Sequence, residues 1–421
     1  MYKYFDRLET MPLEERKAYY NEKVEWLVEY AYRNCKSTKE RFDQSAIQPS
    51  QIRRVDDLER IPIVRKEEIM NLQNRTPPFG GISAISLDKL ERILVSPGPI
   101  FIPIAAGEYF YRAVLQALFS ADIKKGDVVL NAFPTTFMAG VGFELGLKHI
   151  GAVMIPTGVG HTELQVNALY RCKASAYLGT PSFLNNIAEK AEELGYDFTR
   201  DFSLRSALVG GEIMASSIRN RLEEQKGISL TEVYGTSDTG LVAFECDKKL
   251  GMHISEQHLV EIIDPDTGRR LAPGKEGEVV ITSFNASYPM IRLGTGDLAL
   301  CSDEPCPCGR SSPRILKVIG RASDAVKVRG IFLIPQQIEK VFARFDEITK
   351  FQIIINRKGN RDELCCKLEL KGMDIDRKAL SEKLANSIRD VTRLRLDNIE
   401  FLSTGSIPEG NRTVIDERTW D

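Results

Sequence analysis

The chain has 421 residues, enough for two or three packed domains and a sizeable core. Its 57 Lys and Arg nearly balance 59 Asp and Glu, for a net charge of −2, so no basic excess argues for nucleic acid or an anionic membrane as partner. No apolar run approaches the roughly 20 residues of a membrane span, the opening residues lack an apolar signal-peptide core, and eight cysteines in this length do not resemble a secreted disulfide framework; a cytoplasmic protein is the expectation.

In chain order, residues 12–35 predict one amphipathic helix: Pro12 suits a first helical position, and Leu13, Ala18, Val24, Leu27, Val28 and Ala31 recur at helical spacing. Residues 36–90 read as short, charge-rich elements, with a loop at Thr76–Gly81. From Gly107 to Tyr234 strands and helices alternate: helix 108–121, strand 127–133, helix 139–149, strand 152–156, helix 163–172, strand 174–178, helix 181–194, strand 206–209, helix 215–226 and strand 229–234. That alternation predicts an α/β fold with parallel sheets covered by helices. The texture then becomes strand and turn, including strands at 259–263 and 278–284, which predicts a β-rich subdomain. From about residue 324, strand-like 326–329, helix 335–345, strands 351–357 and 363–370, helix 377–391 and strand 398–402 predict a small α+β domain.

Between two apolar runs lies Tyr234-Gly235-Thr236-Ser237-Asp238-Thr239-Gly240. A turn of this composition at a strand end presents hydroxyls, backbone N–H groups and one carboxylate. These suit phosphoryl oxygens and, at Asp238, a Mg²⁺ ion; a plain loop requiring small residues is the alternative. Gly210-Gly211-Glu212 ends another strand, where glycine allows close approach of a flat ring or simply makes a turn.

Tyr234–Asp238 resembles the Y-G-x-[ST]-E turn of the AMP-forming acyl-CoA synthetases, and Ile291–Asp297 resembles their R-x-x-T-G-D segment. Gly320–Asp324 followed by Lys327–Gly330 resembles their interdomain hinge and the loop after it. Gly179–Phe183, Gly251–Ile254, Pro305–Arg310 and Gly405–Pro408 resemble the phenylacetate–CoA ligase branch, and the matches run in that family's order from about Phe5 to Arg418. The resemblance implies a large nucleotide- and acid-binding domain over 1–322 and a small mobile domain over 323–421, hinged at Ser323. It implies ATP-dependent conversion of a small carboxylic acid, with an aryl acid as the expectation, to acyl-AMP, then transfer to CoA or a phosphopantetheine thiol. Gly211, Glu212, Tyr234, Gly235 and Thr236 would hold the nucleotide, Asp297 the ribose hydroxyls, and Arg321 the ribose or phosphate. An Asp297–Arg321 ion pair without a ligand is the alternative. Phe137, Met138 and Ala139 would line the acyl pocket or pack in the core.

Cys246, His253, Cys306 and Cys308 form a Cys₃His set of the kind that closes a structural zinc site. Related ligases carry a matching set, with Cys301 as the substitute candidate here.

Three departures fall on one chemical step. The phosphate loop, Val95-Ser96-Pro97-Gly98-Pro99-Ile100-Phe101, keeps Ser96 and Gly98 but has lost both threonines and a glycine of the family loop, and its prolines lack N–H donors. Asp238 stands for the family's Glu. Near the end, Asn411 stands where the adenylating lysine is expected, no Lys follows Lys383, and Arg412 is the nearest substitute, with a different geometry. Catalytic roles therefore fall to Asp238, Thr236 and Arg412. The second reading is a non-adenylating homologue that binds CoA or an acyl carrier protein. A homodimer is one state open to the chain; no motif fixes it.

Overall fold

The computed structural model describes residues 3–96, 99–105, 112–322, 326–329, 331–358, 361–372, 375–408, 410 and 412–418. The chain divides into two compact units, Met1–Thr295 with Ala299–Val318, and Gly296–Leu298 with Ile319–Asp421.

The first unit opens with helix α1 (Leu13–Asn34), capped by Pro12, whose carbonyl accepts the Arg16 N–H. Its buried stripe, Val24, Leu27, Val28 and Ala31, packs on Phe42, Ile52, Leu58 and Ile61 from the elements that follow. Phe42 belongs to α2 (Lys36–Gln44); α3 (Lys66–Arg75) follows and buries Ile69 in a separate cluster with Leu94, Ile100 and Ile102. Strands β1 (Leu90–Ser96) and β2 (Ile100–Ala105) form an antiparallel hairpin.

The alternating region follows as α4 (Arg112–Ser120), β3 (Val128–Asn131), α5 (Met138–Ile150), β4 (Val153–Pro156), α6 (Thr162–Arg171), β5 (Ala176–Gly179), α7 (Pro181–Glu193), α8 (Phe198–Asp201), β6 (Ser206–Gly210), α9 (Ser216–Asn220) and β7 (Ser229–Thr236). β4, β3, β5, β6 and β7 lie side by side and all pair in parallel. Residue alternation sends each strand's side chains to two cores. Leu130, Tyr177, Ala207 and Val209 enter the core with α6 and α7, while Val129, Leu178 and Leu208 enter the core with α4 and α5. The single helix expected over 215–226 is α9 followed by a π turn over Arg221–Gln225, so the hydrogen-bond register shifts midway.

β8 (Gly240–Glu245) returns antiparallel to β7, and β9 (Met252–Ile254), β10 (His258–Ile263), β11 (Glu276–Ser283), β12 (Met290–Ser302) and β13 (Arg314–Arg321) extend the same sheet. Its order is β10-β11-β12-β13-β9-β8-β7-β6-β5-β3-β4, so the strand-and-turn region joins the parallel region through β7 and β8 in one mixed sheet.

The second unit carries a hairpin, β14 (Val326–Val328) and β15 (Ile331–Leu333), then α10 (Pro335–Phe342), β16 (Ile348–Lys358), β17 (Arg361–Leu370), α11 (Arg377–Thr392), β18 (Asn398–Leu402) and β19 (Val414–Asp416). A four-stranded sheet, β18-β17-β16-β19, buries Ile353, Ile355, Leu364, Cys366 and Leu368 against the two helices. Among the described residues, no helix is long and apolar enough to cross a membrane.

A buried polar network ties α1 to α4 and the sheet. Glu256 accepts from Arg16 Nη1 at 3.1 Å, from Gln116 Nε2 at 2.8 Å and from Arg112 Nη2 at 3.4 Å. Gln116 also reaches Glu9 at 3.1 Å, and Ser255 donates to Gln116 at 2.6 Å. Arg16 and Glu256 are both buried, so losing one charge strands the other. Glu256→Gln is expected to cost about 3–5 kcal/mol, read as a lowered urea midpoint. Glu256→Gln with Arg16→Met should cost less than the sum of the single changes.

Candidate active site and cysteine–histidine cluster

In the parallel part of the sheet, the carboxyl ends of all strands lie on one side, and the segments leaving β3, β5, β6 and β7 carry the expected site residues. The turn between β7 and β8 is tightly closed. The Thr236 and Thr239 hydroxyl oxygens are 2.9 Å apart, and the Thr239 N–H donates to Thr236 Oγ1 at 3.1 Å. A Cβ on Gly235 would sit 2.7 Å from the Gly240 carbonyl, so this crossing requires glycine. The turn buries Asp238: Oδ2 lies 2.8 Å from Lys66 Nζ, and among the described residues neither carboxylate oxygen has a well-aligned hydrogen bond. Burial, with the nearby Asp238 charge, pushes the Tyr288 phenol well above its usual range.

Lys66 is the first residue of α3, and two turns later Gln73 holds the hairpin. Its Nε2 donates to the Phe101 carbonyl at 2.8 Å, and its Oε1 accepts the Phe101 N–H at 2.9 Å. One helix thus reaches both the Asp238 turn and the flank of the phosphate-loop segment. Ser96 on that hairpin is buried, with no partner for its hydroxyl among the described residues; Pro97 and Gly98 lie outside them.

After β6, Gly211 has φ +84°, and a Cβ there would lie 3.7 Å from Thr180 Cγ2 and 3.8 Å from Phe133 Cε1, so three strand ends converge. The Glu212 carboxylate is committed to Ser182 at the start of α7, accepting its N–H at 2.7 Å and its hydroxyl at 2.9 Å. Tyr234 is buried. Of the three expected acyl-pocket residues, Phe137 and Ala139 are exposed, whereas Met138 packs with Ile100, Ile102 and Tyr288.

In the second unit, Arg321 Nη1 lies 3.1 Å from Asp297 Oδ1. Arg412 is exposed, and its carbonyl accepts from Gln352 Nε2 at 3.2 Å. Ser323, Gly330 and Asn411 lie outside the described residues.

Cys246, His253, Cys306 and Cys308 converge, all buried, with their ligand atoms within 4.8 Å of one another. Cys308 Sγ is 3.3 Å from His253 Nε2, Cys246 and Cys306 Sγ are 3.8 Å apart, and His253 Nδ1 lies 3.3 Å from Ser312 Oγ. Cys301 packs in a separate cluster with Val242 and Ile262.

Residues 106–287 match the model for an AMP-binding enzyme, and 330–418 match that for an AMP-binding enzyme C-terminal domain. A phenylacetate–coenzyme A ligase of Thermus thermophilus is 30% identical, over 99% of this chain and 99% of that relative. The chain belongs to the AMP-binding enzyme family, on its phenylacetate–coenzyme A ligase branch. The corresponding ligase of Escherichia coli is 28% identical, over 96% of this chain and 94% of its own. A solved 2-hydroxyisobutyryl-CoA ligase, an open conformation in complex with 2-HIB-AMP and CoA, superposes with a TM-score of 0.88 at 25% identity, over 99% of this chain and 95% of that one.

Lys66, on α3, is the partner of this AMP-binding enzyme's strand-end turn that motif reasoning missed. Lys66→Met should leave the Asp238 carboxylate buried without its cation and cost about 3 kcal/mol. Urea unfolding of Lys66→Met, Asp238→Asn and the double variant checks this; the double variant should recover part of the loss.

Proposed function

We propose that this enzyme converts a carboxylic acid and ATP to acyl-AMP and pyrophosphate, then transfers the acyl group to the CoA thiol with release of AMP, acting in the cytoplasm. Phenylacetate is the acid named for the curated relatives that match over most of the chain, so an aryl acid is the class to try first. The observation that carries the reading is the Tyr234–Gly240 turn, with a buried carboxylate held against a lysine at the strand ends. In this reading the Gly211–Glu212 and Tyr234–Thr236 segments hold the nucleotide; Glu212 takes part through its backbone, since its carboxylate is engaged by Ser182. Asp297, with Arg321, serves the ribose. Phe137 and Ala139, which are exposed, line the acid site, and Met138 supports it from beneath. Ser323 is the pivot.

Asp238 fits Mg²⁺, because among the described residues its buried oxygens have no hydrogen bond and Lys66 is the one cation beside them. The ion would neutralise phosphate charge. Lys66 would then supply a second positive charge for the phosphates, offsetting the donors lost from the Ser96–Phe101 loop. In the second unit, Arg412 is the candidate for the role of the absent terminal lysine.

Acid-dependent pyrophosphate release across a panel of aryl and short-chain acids tests the reading. Turnover should appear with an aryl acid and CoA, fall about 100-fold in Lys66→Met and vanish in Asp297→Ala. No ATP-dependent turnover with any acid, together with retained binding of CoA or an acyl carrier protein, would replace this reading with the non-adenylating one.

The buried Cys₃His cluster fits a structural zinc: four soft or borderline ligand atoms converge, and Ser312 meets the far nitrogen of His253. Chelator-washed protein should retain stoichiometric zinc, and Cys308→Ser should lose it with a lower melting temperature. Natively folded protein free of metal would end the zinc assignment.

A further inference from the structure

α3 has a second face. Lys66 and Gln73, seven residues apart, point to one side, whereas Glu68, Leu72 and Arg75 recur half a turn away. On that reverse face lies a cleft of about 580 Å³ between α2, α3 and the start of β12. Its size suits a small organic molecule.

The cleft carries two guanidiniums, of Arg41 and Arg75, and two carboxylates, of Glu40 and Glu68, and among the described residues neither guanidinium forms an ion pair with either carboxylate. Arg41 donates Nη1 to the Ile291 carbonyl at 3.2 Å, while its Nε is sealed from solvent with no partner among the described residues. Neither Arg41 nor Arg75 has a carboxylate oxygen within 4.0 Å among the described residues. The acidic groups on the same cleft are already engaged: Glu68 Oε2 accepts the Arg65 N–H at 2.9 Å, and Glu40 lies 3.8 Å from Lys36 Nζ. Burial pushes the Arg41 guanidinium down to about 10, which still leaves it cationic at neutral pH. Glu68 attracts Arg41 from beyond ion-pair distance, and among the described residues the guanidinium is hydrogen-bonded only through Nη1, so it keeps donors that an anion entering the cleft can use. Ile82, Met290 and Ile291 supply an apolar wall beside it.

We propose that this cleft is a binding site for a small organic anion, a carboxylate or a phosphate monoester, whose charged group pairs with Arg41 and Arg75 and whose body lies on the apolar wall. The site is separate from the strand-end turn, and the inference does not rest on the adenylation reading.

Isothermal titration calorimetry of the full chain with phenyl phosphate, and separately with benzoate, tests it; the two probes distinguish the phosphate from the carboxylate source. At least one should bind, and Arg41→Met should weaken that binding about tenfold or more, as expected for a lost charge-assisted hydrogen bond. The Arg41→Met melting temperature should hold or rise, because a buried Nε donor without a partner is gone; a purely structural arginine would lower it. Asn71→Trp, an exposed position that fills the cleft from its rim, should block the same probe with the fold intact. Binding of neither probe to the wild-type chain, or unchanged binding in both variants, overturns the proposal.

Discussion

Helices cover both faces of the parallel strands, and this constraint decides where polar chemistry can surface. Val129, Leu178 and Leu208 are spent on one core, and Leu130, Tyr177 and Val209 on the other. With both faces dry, side chains that must meet a nucleotide have only the strand tips. The segments after β3, β5, β6 and β7 meet there, closely enough that Gly211, Thr180 and Phe133 are neighbours. The step from parallel to antiparallel pairing falls between β7 and β8, at the turn that holds Asp238.

Charge management follows from the same dryness. A carboxylate buried in this turn needs a cation, and the chain brings one from an early helix rather than from its carboxy-terminal segment. The phenylacetate–coenzyme A ligase relatives establish the branch. This chain carries two prolines between Ser96 and Ile100 and no lysine after Lys383, and its Lys66 at the head of α3 lies beside Asp238.

Much of the architecture could be read from residues alone. Between Asp127 and Tyr234 the expected strands and helices match the observed ones to within a few residues, apart from the short α8, which was not expected, and the π turn after α9; strand 398–402 is found at its expected bounds. The Cys₃His set was legible because thiols and an imidazole are chemically conspicuous. β12 was not legible: Arg292 has φ +56° and Gly296 φ +75°, which breaks the alternation a strand should show, and the Arg292 side chain turns inward to Glu261. Lys66 was hidden for a different reason. Its partner lies far along the chain, and no local pattern announces a tertiary ion pair.

The grip of Gln73 on Phe101 narrows what that position can be. The side chain plays the part of a missing neighbouring strand, offering an acceptor to the backbone N–H and a donor to the carbonyl. Glutamate keeps the reach but has no proton to give at neutral pH, and asparagine keeps both poles but is a methylene short. A glutamate at this position would exchange a single nitrogen for oxygen and set a negative charge against the Phe101 carbonyl, so the hairpin's hold on α3 depends on the neutral amide at residue 73.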